Sequence, residues 1–236
     1  MSLLILEPPN AALLTPPLRG DGMRVKVVSL DLDGTLVSRD YVDYFWLELV
    51  PRLYAERWGL PLSEAKRRVL EQYDEVGPKD LRWYKPRYWF ERFRLDGNLL
   101  LHALQEAAQL VKPYSDALEL LRWASGRFRI VVCTSASREF INVVFERVPE
   151  LREHVSRVFS SVSDYALPGK PPEFYLKVLD ELKIEPGELL HVGDDDEADC
   201  RVPRSLGIHA YVVDRSGVRG LKSLLDLLPL LETDQP

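Results

Sequence analysis

One stretch of sequence decides the fold: Arg24-Val-Lys-Val-Val-Ser-Leu-Asp-Leu-Asp-Gly-Thr35. Residues 24–30 are mostly apolar and β-branched, and Asp-Gly pairs bound them on both sides, which is typical of a short buried strand. Asp31 and Asp33 stand at the end of that strand. Because side chains alternate along a strand, the two carboxylates are expected to project the same way, side by side.

Strand-like and helix-like segments alternate along the rest of the chain. Apolar runs recur at residues 129–133, 188–192 and 208–213, with a weaker one at 155–159. Helical patterns occupy 115–124, 137–147, 172–182 and 198–206, and a last amphipathic helix is predicted from 219 to about 228. This alternation predicts an α/β fold with a doubly wound parallel sheet, covered by helices on both faces.

The stretch from Ser38 to Lys112 breaks this alternation. It holds helical patterns at 41–58, 63–76, 86–95 and 98–110 with almost no strand signal, and Ser63 is predicted to cap one of them. Helices alone between the first and second strands predict an inserted helical subdomain. We therefore expect an amino-terminal arm (1–22), a core (23–37 and 113–236) and a helical insertion (38–112).

Charge and composition limit the partners. The formal net charge of −6 leaves no dominant basic face, which argues against nucleic acid. No apolar run reaches the roughly 20 residues that span a bilayer, and the first segment lacks the basic residues of a signal peptide. Cys133 and Cys200 form no disulfide or zinc pattern. These features predict a cytoplasmic protein without a membrane partner and leave the oligomeric state open.

The carboxylate pair suits phosphoryl transfer. Ligands bind at the carboxyl ends of parallel strands, where Asp31 and Asp33 are expected to lie. One carboxylate can attack phosphorus while the other donates and then removes a proton. Asp-x-Asp-Gly is also a common turn sequence, but its position directly after a buried strand argues against a turn alone.

A second acidic cluster, Gly193-Asp-Asp-Asp-Glu-Ala-Asp199, follows another predicted strand. Carboxylates so close together repel one another unless a cation lies between them. Oxygen ligands without His or Cys favour magnesium. An acidic helix N-terminus is the alternative, and it suits Asp196 and Glu197.

Two further elements are ambiguous when each is considered alone. Lys170 stands between turn residues ahead of a helix, where a solvated surface lysine is the ordinary outcome. Thr134 and Ser135 end a strand and could bind an anion, or could equally cap the helix that follows.

Together and in this order, these elements resemble the haloacid dehalogenase-like hydrolase superfamily over residues 24–215. Asp31-Leu-Asp-Gly-Thr-Leu36 resembles its first motif, Thr134 its second, Lys170 its third, and Gly193-Asp194 with Asp199 its fourth. The third departs from the common Lys-Pro-x-Pro by one residue, since Lys170 is followed by Pro-Pro-Glu. The resemblance implies a Rossmann-like core, with the helical insertion acting as a cap over the site.

The resemblance also implies catalytic roles. Asp31 would form an aspartyl-phosphate, and Asp33 would act as general acid and base. Thr134, with Ser135 beside it, would bind the phosphate, and Lys170 would neutralise charge on the nucleophile and phosphate.

A metal site is implied by the same resemblance. Asp31, the backbone carbonyl of Asp33 and Asp194 would bind Mg²⁺, and Asp199 would support that loop. The chain is then expected to be a magnesium-dependent phosphate monoester hydrolase acting on a small phosphorylated metabolite. Dehalogenases are disfavoured because they lack the second carboxylate of the first motif.

Two other functions remain open. A phosphomutase would keep all these residues and return the phosphoryl group to a sugar. A catalytically idle binding protein would keep only the fold. The run Arg82-Trp-Tyr-Lys-Pro-Arg-Tyr-Trp89 could contact an anionic or ring-bearing substrate, or could simply form the core of the insertion.

Overall fold

The computed structural model describes residues 24–232. Five strands form one sheet in the order β3-β2-β1-β4-β5, and every neighbouring pair is parallel. The strands are β1 (Val27–Leu30), β2 (Arg129–Thr134), β3 (Arg157–Ser160), β4 (Leu189–Gly193) and β5 (His209–Val212). The predicted α/β fold is confirmed. The strand order reverses between β1 and β4, which is the switch point where such sheets bind ligands.

Both faces of the sheet are buried. Val28 and Leu30 of β1 pack into one apolar cluster, whereas Val27 packs into a second on the opposite face. The helices after the insertion are α6 (Ser115–Ala124), α7 (Arg138–Arg147), α8 (Glu150–His154), α9 (Ser161–Tyr165), α10 (Pro172–Leu182), α11 (Val202–Ser205) and α12 (Leu228–Glu232). In α10, Phe174 and Val178 recur at helical spacing and bury one face of the helix.

The inserted stretch is helical in the structure. Its first helix is continuous and has three parts, α1 (Asp40–Tyr44), a π-helical segment (Phe45–Leu49) and α2 (Val50–Trp58). Then follow α3 (Leu62–Val76), a 3₁₀ turn (Leu81–Tyr84), α4 (Pro86–Arg92) and α5 (Asn98–Ala108). Large buried aromatic side chains, among them Phe45, Trp89 and Phe90, fill its interior.

The two chain crossings into and out of the insertion lie side by side. The backbone N–H of Ser38 donates to the carbonyl of Lys112 at 2.9 Å, and that of Tyr114 donates to the carbonyl of Leu36 at 3.0 Å. Both connections therefore leave the sheet at one place. That the insertion moves as a separate unit stays a prediction.

Two predictions about local structure are wrong. The last helix does not begin at 219, because residues 215–220 form turns and bends that lead to a β-bridge between Leu221 and Val213, and helical turns start only at Leu224. The prediction of a Ser63 cap is also wrong, since α3 begins at Leu62 after Pro61 without a side-chain cap. The predicted arm, 1–22, lies outside the described residues. None of the helices within 24–232 has the length and apolarity to cross a bilayer.

Candidate active site

Three predicted acidic residues meet at the switch point of the sheet. Asp31 directly follows β1, and its backbone N–H donates to the carbonyl of Val192 in β4 at 2.8 Å. Asp194 follows β4, and Asp199 lies in the helical segment after it. One carboxylate oxygen from each of the three lies within 4.8 Å of the others. The structure thus brings together the first and fourth motifs.

Lys170 reaches into this cluster from the loop ahead of α10. Its Nζ lies 3.0 Å from Oδ1 of Asp31 and also pairs with Oδ1 of Asp199. The side chain is almost fully buried, which by itself favours the neutral amine. The two carboxylates outweigh that cost and hold the pKa of Lys170 above its ordinary value. The shortened third motif therefore still delivers its lysine to the site.

Both carboxylate oxygens of Asp199 contact groups of the protein. Besides Lys170, its Oδ1 bonds Nε2 of His191 at 2.8 Å, and its Oδ2 accepts from the backbone N–H of Asp195 at 3.1 Å. Burial raises the pKa of Asp199, but Lys170 and His191 outweigh burial and hold that pKa well below its ordinary range. Asp199 thus orients its neighbours as an anion. It lies in a π-helical segment, Glu197–Arg201, a form often found at functional sites.

His191 was missed by the sequence analysis. Its Nδ1 lies 2.8 Å from Oγ of Ser29, and both residues are fully buried. The two are register partners on β1 and β4. The available signal was one polar residue in each of two otherwise apolar strands: Ser29 is two positions before Asp31, and His191 is three positions before Asp194. The contacts from Ser29 through His191 to Asp199 hold the Asp199 carboxylate in place from within the sheet.

Two glycines, Gly34 and Gly193, allow the carboxylates of Asp194 and Asp199 to pack directly against the backbone. Gly34 has φ +81°, and a Cβ there would lie 2.1 Å from Oδ2 of Asp194. A Cβ on Gly193 would lie 2.2 Å from Cγ of Asp199. Any side chain at either position would displace a carboxylate of the cluster.

The side chain of Asp33 contacts the insertion. Its Oδ1 accepts a hydrogen bond from the hydroxyl of Tyr41 at 2.6 Å. Burial raises the pKa of Asp33 to about 6, the Tyr41 hydrogen bond opposes that shift, and the nearby Asp31 adds to it. A carboxyl group with this pKa can both donate and accept a proton near neutral pH. Tyr41 is the second residue missed from the sequence.

Thr134 and Ser135 line the same cavity as Asp31 and Asp33. Thr134 ends β2, and its Oγ1 accepts from the backbone N–H of Ala136 at 3.1 Å. That contact fixes the hydroxyl oxygen and leaves its hydrogen for an acceptor in the cavity. The second motif is therefore positioned to bind an anion.

The cavity above the cluster has a volume of about 230 Å³. Carboxylates and hydroxyls form one end, and Arg39 and Asp43 also reach it. Its remaining wall is largely aromatic and comes from the insertion and α7: Trp46, Tyr73, Trp83, Tyr84, Trp89 and Phe140. Within the run 82–89, the cavity is thus lined by aromatic side chains, whereas the exposed Arg82 pairs with Asp80.

The acidic cluster could hold a divalent cation. Asp31, Asp194 and Asp199 form the cluster, and of these Asp199 already contacts protein groups through both oxygens, so Asp31 and Asp194 are the better candidates for ligands. The buried Oδ1 of Asp31 has no well-directed hydrogen bond within 24–232, only the ionic contact with Lys170. Burial and then the neighbouring carboxylates raise the pKa of Asp194 to about 7. Hard oxygen donors under such mutual repulsion fit a cation.

Comparison with known proteins identifies the family of the chain. The family model of haloacid dehalogenase-like hydrolases matches residues 25–207. The chain belongs to this family. GMP/IMP nucleotidase YrfG of Escherichia coli (strain K12) is 29% identical over 184 residues, which cover 78% of this chain and 80% of that protein. Phosphoserine phosphatase ThrH of Pseudomonas aeruginosa is 26% identical over 153 residues, covering 63% and 65% respectively.

A solved structure shares the fold of this haloacid dehalogenase-like hydrolase. The HAD phosphatase from Thermococcus onnurineus superposes with a TM-score of 0.75 at 23% identity, covering 90% of this chain and all of that one. Together with the family match, the likeness confirms the predicted family and architecture. The expectation of an enzyme of phosphatase type is likewise confirmed.

Proposed function

We propose that this chain hydrolyses phosphate monoesters through an aspartyl-phosphate on Asp31. One observation carries the proposal: Asp31 lies at the switch point between Lys170 and Asp194, and it opens onto the cavity that Thr134 lines. A nucleophilic carboxylate needs a cation beside it, a site for the phosphate and access for the substrate. Lys170, Thr134 and the cavity provide these next to Asp31.

In the first half-reaction, Asp31 attacks phosphorus and the ester oxygen departs. Thr134, Ser135 and the Lys170 ammonium bind the phosphoryl oxygens as charge develops on them. Asp33 lines the same cavity, and its protonated form donates a proton to the departing oxygen.

In the second half-reaction, the ionised Asp33 removes a proton from water, which attacks the phosphoryl group on Asp31. Phosphate leaves, and both carboxylates return to their starting forms. Asp31, the carbonyl of Asp33 and Asp194 would hold Mg²⁺, which when bound neutralises charge shared by the carboxylates and the phosphoryl oxygens. Asp199 does not contact the substrate in this mechanism, and instead orients Lys170 and the loop at Asp195.

The substrate is proposed to be a purine nucleoside monophosphate. An aromatic wall beside an anion site suits a planar base attached to a phosphate, because bases stack on aromatic rings. The name of the YrfG relative, GMP/IMP nucleotidase, supports this choice. Phosphoserine, suggested by the ThrH relative, would leave the aromatic wall without a ring to contact.

The helical insertion, 38–112, is proposed to act as a cap. It supplies most of the aromatic wall, and its two connections leave the core side by side at Ser38 and Lys112. Paired crossings of this kind suit a hinge. Closure would exclude water during phosphoryl transfer to Asp31, and reopening would admit water.

Phosphate release tests the proposal. Purified protein with Mg²⁺ should release phosphate from GMP and IMP faster than from phosphoserine, without any bisphosphate activator. A need for an activator would favour a phosphomutase, and no turnover of any phosphate ester would favour an idle binding protein. Asp31→Asn should have no activity, whereas Asp43→Asn, which removes an exposed carboxylate that pairs with Arg39, should retain hydrolysis of 4-nitrophenyl phosphate. Full activity of Asp31→Asn would refute the mechanism.

A further inference from the structure

Tyr41 is a buried phenol that touches the acid/base carboxylate from outside the cavity. It lies in α1, has no exposed surface, and donates its hydroxyl hydrogen to Oδ1 of Asp33 at 2.6 Å. It is not among the residues that line the cavity. Its hydroxyl therefore acts on Asp33 and not on a bound substrate.

The surroundings hold the Tyr41 ring in place. Phe140 of α7 meets it edge-on with ring centroids 6.1 Å apart, and Phe45 meets the same Phe140 at 5.0 Å. A ring packed in this way gives its hydroxyl one fixed position. The hydrogen bond is short, as expected for a hydroxyl donor to a carboxylate.

The contact divides the two oxygens of Asp33 between two tasks. Oδ1 is bound to Tyr41, while Oδ2 receives no hydrogen bond within the part of the chain that the structure describes. Asp33 itself lines the cavity. The oxygen that is left open is thus the one available for proton exchange with substrate or water.

We propose that Tyr41 is a positioning residue that fixes the orientation of Asp33 for proton transfer to the leaving group. Tyr41 belongs to the insertion and Asp33 to the loop after β1. The orientation of Asp33 therefore depends on the position of the insertion relative to the core. The inference rests on the proposed function, in which Asp33 is the general acid.

A matched pair of substrates isolates this role. Phenyl phosphate and 4-nitrophenyl phosphate have similar shapes, but only the phenolate needs a proton to leave readily. The parameter kcat/KM reports steps up to leaving-group departure and omits hydrolysis of the phosphoenzyme. Tyr41→Phe should lower kcat/KM for phenyl phosphate by about tenfold, part of the 10²–10⁴ that a positioned acid supplies, and change 4-nitrophenyl phosphate by less than about twofold.

The neighbouring tyrosine provides the control. Tyr44, in the same helix, donates its hydroxyl to Glu106 on the surface at 2.7 Å, so Tyr44→Phe should leave both substrates unchanged. The ratio of the two kcat/KM values does not depend on the amount of folded enzyme, so partial unfolding of Tyr41→Phe cannot imitate the effect. In an Asp33→Asn background, Tyr41→Phe should have no further effect on phenyl phosphate.

Two results would overturn the proposal. In the first, Tyr41→Phe lowers kcat/KM by the same factor for both substrates, or for neither. In the second, its effect on kcat/KM for phenyl phosphate is undiminished in the Asp33→Asn background. Either result leaves Asp31 untouched as nucleophile. If Asp31→Asn retained activity, the proposed function itself would fail, and the two failures are therefore distinguishable.

Discussion

The backbone of Gly34 lies against the carboxylate of Asp194, so close that a Cβ on Gly34 would lie 2.1 Å from Oδ2 of Asp194. Gly34 also has φ +81°, in the left-handed region that favours glycine. The turn at Gly34 in the first motif and Asp194, the proposed metal ligand of the fourth motif, are therefore in close contact, with no room for a side chain between them. Neither can shift alone, which explains why the first motif needs glycine here.

Replacing Gly34 by alanine should abolish activity by displacing Asp194. Gly126→Ala is the matched control, because Gly126 has φ +78° and a methyl group there would meet nothing within 4 Å. Both variants should lose about 1–3 kcal/mol of stability from backbone strain. Only Gly34→Ala should lose phosphatase activity and Mg²⁺-dependent stabilisation, measured by thermal unfolding. Equal activity in the two variants would show that the close approach is unimportant.

Chelation should stop activity, and Mg²⁺ should restore it far better than Ca²⁺. Mg²⁺ keeps an octahedral shell at about 2.0–2.1 Å, whereas Ca²⁺ takes a larger, looser shell that would push Asp31 and Asp194 apart. Mg²⁺ should also raise the unfolding temperature of the parent protein and have little effect on Asp194→Asn. Activity that survives exhaustive chelation would contradict the metal site.

Without metal, Asp194 should make the fold less stable as the pH rises from about 4 to 7. Its pKa in the fold is about 7, because burial and then Asp31 and Asp199 raise it, while the pKa of an unfolded Asp is about 3.9. Between these values the unfolded chain has lost the proton that the fold still holds, so rising pH favours unfolding. Below about pH 4 both states are protonated and the penalty vanishes.

The matched variant for this pH dependence is Asp194→Asn, which cannot ionise. Relative to it, metal-free parent protein should lose on the order of 3 kcal/mol between pH 4 and 7, measured by denaturant unfolding in chelator. Mg²⁺ should remove the difference, because it binds the ionised carboxylate. Parallel stability curves for parent and variant would show that Asp194 titrates normally.

Substitution of Trp83 should weaken nucleotide binding without unfolding the protein. Trp83 lines the cavity and is 37% exposed, so its removal opens little of the core. Trp83→Ala should raise KM for GMP by about tenfold, because stacking of a base on an aromatic ring contributes about 1–3 kcal/mol. The KM for 4-nitrophenyl phosphate should be nearly unchanged. Trp58→Ala, another exposed tryptophan of the insertion, should change neither. Equal effects of the two variants on GMP would refute the stacking role.

The acidic half of the site is predictable from sequence for a simple reason. Asp31 and Asp194 each directly follow a strand, and the carboxyl ends of neighbouring parallel strands meet at one edge. Thr134 follows the same rule on β2. Local pattern is enough wherever a residue's position depends only on the end of its own strand.

Tyr41 and His191 could not be found in this way. The contact of Tyr41 with Asp33 depends on how α1 folds back over the loop, and that is set by packing against Phe140. His191 depends on the register of β1 with β4, which fixes Ser29 beside it. The stretch before Leu221 is a third case, since turns and a β-bridge between Leu221 and Val213 stand where the sequence pattern predicts a helix.

Trapping the phosphoenzyme tests the central claim most directly. Asp33→Asn should still be phosphorylated by 4-nitrophenyl phosphate, whose leaving group needs little protonation, but should release phosphate about 10²–10⁴-fold more slowly. Acid quenching and peptide mass spectrometry should then find one phosphoryl group, on Asp31. The double variant Asp31→Asn with Asp33→Asn should carry none. A phosphoryl group on any other residue, or turnover by Asp31→Asn without one, would contradict the assignment of Asp31 as nucleophile.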